Sequence, residues 1–199
     1  MIFKMFGTML LWNKSERYTL FMFKHEKVLW ITRTAVLIAI AIALQAVTRL
    51  FGSNYITGTV VNMMLIISVM TCGLYTGLTV AAVTPVMATL LGVPGPTWPF
   101  IPFIAMGNMV LVSAWFLIGN REKINRYLAY AIALITGAIV KFLVLHFGIV
   151  WILMGIRTFN IVALMANPLS VPQMITAAAG GVFAIILIPP LKKALKGRS

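Results

Sequence analysis

Acidic residues are almost missing from this 199-residue chain, which has Glu16, Glu26 and Glu122 and no aspartate. A carboxylate dyad or a carboxylate metal site therefore has no ligands to build from. None of the three acids falls inside a long apolar run, so a proton relay on buried carboxylates is excluded, while sodium sites made of backbone and hydroxyl oxygens stay open. Cysteine is nearly absent too: Cys72 stands alone, which rules out a disulfide within the chain. The two histidines, His25 and His146, are far apart in sequence and give no zinc set. No His-Glu-x-x-His, Gly-x-Ser-x-Gly or Walker pattern occurs. Ser68, Ser113 and Ser170 accompany His146 without any motif that ties a serine to it, so the chain is read as a non-enzyme.

What is abundant is apolar surface. Hydrophobic residues make up 61% of the chain, charged ones 10%, and the mean hydropathy is +1.02. A soluble domain of this length could not hide that much, so the sequence predicts an all-α integral membrane protein. Continuous apolar runs, in place of the two-residue alternation of barrel strands, favour a helical bundle. Six runs are expected to span, at about 31–51, 55–71, 74–92, 100–119, 127–153 and 170–190. The second and third are continuous in sequence, and Gly73 is the expected turn between them.

The charge balance is lopsided, with 16 Lys and Arg and a formal net charge of +13. All but Arg49, Lys141 and Arg157 of these bases fall in three groups: the N-terminal region (Lys4, Lys14, Arg17, Lys24, Lys27, Arg33), the loop "NREKINR" and the tail "LKKALKGRS". With six spans all three groups lie on one side, which the positive-inside rule makes cytoplasmic, so both termini are expected inside the cell. Residues 1–30 mix aromatics with bases as an interfacial helix does, residues 31–191 form the membrane domain, and 192–199 a basic tail. Met22 is a second candidate start for the natural chain.

Polar residues inside or just outside the spans are the candidate ligand groups. Lys141 lies mid-span in "TGAIVKFLVLHFGIVW", where a cation needs carbonyls, water or an anionic ligand. Asn62 and Asn108 also lie within spans and each needs a hydrogen-bond partner, whether from a neighbouring helix or from a ligand. Arg49 and Arg157 end spans on the expected outer side, where they either anchor to lipid headgroups or face a ligand. Three outer loops carry Tyr55, Trp98 and Asn160 among other polar and aromatic residues. The expected substrate site is an outward-facing pocket using Lys141, Asn108, Trp98, Arg49, Tyr55, Arg157 and Asn160. Aromatic rings would stack on the ligand, and the absence of acids favours a carboxylate or phosphate over a cation.

The first span, "ITRTAVLIAIAIALQAVTRLF", places Ala35, Ala39 and Ala43 four residues apart on one helix face. Such a shallow strip suits close approach of another helix, either of the same chain or of a partner. Together with the length, the six spans, the continuous second and third spans and the ending "VPQMITAAAGGVFAIILIPPLKKALK", this stretch resembles the substrate-binding S components of energy-coupling factor (ECF) transporters, the vitamin-uptake systems of prokaryotes. The resemblance covers roughly residues 27–196.

The resemblance implies an S-component-like bundle in the prokaryotic plasma membrane. It implies that Ala35, Ala39 and Ala43 dock a separate transmembrane coupling subunit that carries two ATPases, so ATP is used by partners and no cofactor resides in this chain. It implies further that a small vitamin or cofactor precursor is captured beneath the outer loops and released inside when the subunit topples. The first thirty residues depart from the family pattern, in which the first span starts soon after the N-terminus. A self-sufficient secondary carrier or channel is the alternative, with a membrane enzyme and a purely structural protein behind it.

Overall fold

A computed structural model describes the backbone of residues 2–92, 98–121, 124–155 and 171–196, and the side chains from residue 26 onward apart from Pro99, 149–155 and Lys196. Six long helices make up the described chain, and no strand occurs among the described residues. They are α1 (Ile2–Arg49), α2 (Asn54–Cys72), α3 (Leu74–Leu90), α4 (Ile101–Gly119), α5 (Arg126–Gly155) and α6 (Val171–Lys196). A short 3-10 turn, Trp98–Phe100, leads into α4. Helices satisfy every interior backbone group within the segment, which is what an apolar chain needs where no water is present. Among the described residues, five stretches are long and apolar enough to cross a membrane: Glu26–Arg49, Asn54–Cys72, Ile101–Gly119, Arg126–Gly148 and Val171–Leu195. The remaining helix, α3, has 17 residues, about 25 Å at 1.5 Å per residue, a few ångströms below the usual apolar thickness.

Residues 1–30 were expected as an interfacial helix ahead of the first span; α1 runs without a break from Ile2 to Arg49, and its membrane-length apolar stretch is Glu26–Arg49. No proline or glycine lies between residues 8 and 49 to interrupt it. At the other end the last span was expected to stop near residue 190, yet α6 continues through Pro189 and Pro190 to Lys196. Each proline forfeits one intrahelical bond, but Ile188 on the same turn still packs in the core and holds that turn in place.

Helices α2 to α6 close a ring, each packing on the next and α6 returning to α2, with α2 and α4 also in contact across it. Helix α1 lies outside this ring against α2 and α3. The turn between α2 and α3 is tight because Gly73 adopts φ 89° and ψ 176°, a conformation essentially reserved for glycine. Leu65, Ile66, Val69, Leu111, Val112, Trp115, Tyr130 and Ile188 belong to one buried apolar cluster within the ring. The Trp115 and Tyr130 rings meet in it, with centroids 5.9 Å apart. Inter-helix contacts fix the directions. Asn62 and Gly58 on α2 meet Thr176 on α6, and Gly180 meets the α2 backbone from Thr59 to Met63, so α2 and α6 are parallel. Helix α4 is antiparallel to α5, with Gly107 against Leu145 and Trp115 against Gly137. One end of the bundle therefore carries Gly73 and the basic α4–α5 connection; the far end carries Arg49, Trp98 and the start of α6.

The outward side of α1 is informative. Thr34, Ala41, Gln45 and Thr48 are buried, whereas Ala35, Ala39 and Ala43 are all exposed. The strip of small residues is left uncovered by the described residues.

Candidate functional site

In α5, Lys141 follows Arg126 by fifteen residues, which places it about 22 Å from the basic end of the bundle. It is 1% exposed. Its Nζ donates to Asn62 Oδ1 at 2.6 Å and to Asn108 Oδ1 at 2.8 Å. Because lysine only donates, both asparagines turn their carbonyl oxygens toward it. Asn62 then donates from Nδ2 to Thr176 Oγ1 at 3.2 Å, and Thr176 Oγ1 donates to the Gln173 carbonyl at 3.2 Å. A chain of hydrogen bonds thus runs from α5 across α2 to α6, with α4 joined through Asn108. Helix lengths set its depth: Asn62 lies eight residues inside α2, Asn108 seven inside α4 and Thr176 five inside α6. All three are therefore about 7–12 Å below the far end.

Electrostatics make this cluster distinctive. The sequence places no carboxylate anywhere in α2–α6, so the cation is held by two amide dipoles and has no counter-ion in its helix bundle. Hydrogen bonds to a charged group contribute about 1.5–3 kcal/mol each, which offsets only part of the cost of burying a charge. Two of the three ammonium protons have acceptors among the described residues. An anionic oxygen about 4 Å away would interact by about 4 kcal/mol at an effective dielectric of 20. The arrangement can therefore hold an oxyanion. Among the described residues no group of three His, Cys, Asp or Glu side chains comes together to hold a metal.

The residues singled out from sequence divide clearly. Lys141 and Asn108 are brought together. Tyr55 is exposed two turns above Asn62 on the same side of α2, toward the far end. Trp98 is exposed on the turn before α4 and has no hydrogen bond to the cluster among the described residues. Arg49 is exposed and donates from Nη1 to the Leu91 carbonyl at 2.8 Å. It thereby satisfies a carbonyl at the end of α3, a favourable place for a cation, and stays away from Lys141. Arg157 and Asn160 lie outside the described residues. His146, on α5, stacks on Phe142 with ring centroids 5.4 Å apart.

Two members of the cluster were not among the expected site residues. Asn62 was legible as a polar residue in a span, but nothing in the sequence distinguished a packing asparagine from a functional one. Thr176 had no signal, because a helical threonine ordinarily bonds its own backbone, as Thr71 and Thr79 do here. The chain matches no family model, and no curated protein or solved structure matches it.

Proposed function

We propose that the protein is a multi-pass membrane subunit that captures a small organic anion at Lys141. The supporting observation is the buried Lys141 amine held between Asn62 and Asn108 among helices α2–α6, which carry no carboxylate. In this reading all six helices span the plasma membrane of a prokaryotic cell. The three basic groups face the cytoplasm together with both termini, and the Lys141 cluster lies buried toward the outer side. Lys141 pairs with a carboxylate or phosphate of a vitamin-like molecule, while Asn62 and Asn108 hold the ammonium in position. The exposed Ala35–Ala39–Ala43 strip docks the coupling subunit of an energy-coupling factor importer, whose ATPases supply the energy for transport.

Native mass spectrometry of the detergent-purified chain tests the capture step through the acid that co-purifies with it. Lys141→Met keeps the length of the side chain and removes its charge. The expected result is loss of the bound acid, a weakening of about a hundredfold, given about 3 kcal/mol for a hydrogen-bonded charge. Undiminished retention in Lys141→Met would refute the anion site. Uptake by vesicles containing the chain alone, without ATP, would replace the importer subunit with a self-sufficient carrier.

A further inference from the structure

The polar layer extends beyond the four residues joined by hydrogen bonds. Thr84 in α3 is 1% exposed, and its hydroxyl has no hydrogen-bond partner. That is unusual for a helical threonine, which can donate to the carbonyl four residues earlier; Thr48, Thr57, Thr71, Thr79 and Thr89 all do so. A buried hydroxyl left unpaired is unfavourable, so its surroundings need an explanation.

Hairpin geometry locates it. Gly77 and Val69 lie four residues either side of Gly73, and a Cβ at Gly77 would come within 2.7 Å of the Val69 side chain, so these two faces oppose one another. Seven residues farther along each helix, two turns and about 10 Å, return the same faces. Those positions are Asn62 on α2 and Thr84 on α3. Gly77 also abuts Val112 of α4. One turn toward the far end from that contact lie Asn108 on α4 and Ala81 on α3. All five helices of the ring thus contribute a buried polar side chain to one layer: Asn62, Thr84, Asn108, Lys141 and Thr176. Pro85 adds a further polar group. It has no N–H, so the buried Ala81 carbonyl loses its helical donor at this same level.

A parallel observation comes from α1. Thr34 bonds Thr76 and Arg49 bonds Leu91, each pair 42 residues apart, so α1 and α3 run in parallel register. Gln45 is then level with Met87, one turn beyond Thr84. It is 2% exposed and its Nε2 is also unpartnered.

We infer that Thr84 is a ligand-contacting residue, and that the acid resting on Lys141 carries a hydroxyl group held by Thr84 and the Ala81 carbonyl. A hydroxyl both donates and accepts, which matches a carbonyl deprived of its helical donor and an unpartnered threonine oxygen on the same helix. This rests on the reading of Lys141 as the anion site and adds a substrate class to it: hydroxy acids over the corresponding simple acids.

The test measures binding to the detergent-purified chain by thermal shift, with three pairs of acids that differ by one hydroxyl: propanoate and lactate, butanedioate and malate, phenylacetate and mandelate. Wild-type protein should bind the hydroxy member of at least one pair about tenfold more tightly, the equivalent of one neutral hydrogen bond. In Thr84→Val that ratio should fall to about one, while the ligand-free variant melts at or above the wild-type temperature because an unpaired hydroxyl has been removed. Absence of any hydroxyl preference in the wild type, or a preference that persists in Thr84→Val, overturns the inference. So does a lower melting temperature of ligand-free Thr84→Val, which would mean the hydroxyl is paired within the protein. Lys141→Met separates the two readings. If it binds the acids as well as wild type, the anion site itself falls; if it binds neither member while Thr84→Val keeps the preference, only the role of Thr84 falls.

Discussion

The close approach of α2 and α6 underlies the polar cluster, and a single methyl group should test it. A Cβ at Gly180 would lie 2.7 Å from the Thr59 carbonyl oxygen, 2.8 Å from Asn62 Cβ and 2.8 Å from the Met63 nitrogen. Two of these atoms are backbone, so no change of rotamer can relieve the clash. Carbon contacts are comfortable at 3.5 Å or more, and the helices would have to part by roughly 0.7 Å. Overpacking of this kind costs about 1–3 kcal/mol. For a chain of this size that corresponds to a melting temperature lowered by roughly 2–12 °C. The Asn62–Thr176 bond, already 3.2 Å long, would stretch beyond useful hydrogen-bond distance. The intrinsic preference of helices for alanine works the other way, by up to about 1 kcal/mol. The sign of the effect is therefore diagnostic. Thermal unfolding of Gly180→Ala in detergent, followed by tryptophan fluorescence, should show a clear loss of stability. A variant melting at or above the wild-type temperature would refute the α2–α6 contact.

Two further predictions follow from α1 and from the α2–α3 turn. Leucine at both Ala35 and Ala39 adds bulk to an exposed face, so the double variant should melt within about 1 °C of wild type and still bind its acid. It should lose uptake in cells that contain the coupling subunit; unchanged uptake would leave the strip to lipid, and lost stability would put it inside the fold. Gly73→Ala meets no atom within 4 Å, yet φ 89° and ψ 176° strain any other residue. A cost of about 1–3 kcal/mol, seen as a lower melting temperature, is expected from backbone strain alone. An unchanged melting temperature would show that the turn does not need this conformation.

Much of the architecture was legible in the chain. Apolar runs fixed the helices to within a few residues because the same property, freedom from charge, decides both length and burial. Gly73 was legible because a turn between two continuous apolar segments needs a residue without a side chain. The end of α6 was not. A proline pair at 189–190 is a local signal, and neighbouring turns overrode it. The role of Arg49 was equally hidden, since the carbonyl that it caps belongs to a helix 42 residues away.

By itself the sequence determined that the chain is helical and apolar, that no carboxylate lies in its later helices, and that Lys141 needs an unusual partner. Those conclusions rest on composition and on spacing along one helix, both of which are properties of the linear chain. Tertiary structure alone decided the partners. Asn62, Asn108 and Thr176 stand 79, 33 and 35 residues from Lys141, and only the packing of α5 antiparallel to α2, α4 and α6 brings them to one depth. It also decided that Ala35, Ala39 and Ala43 face outward. A helix face has a direction only once its neighbours are in place.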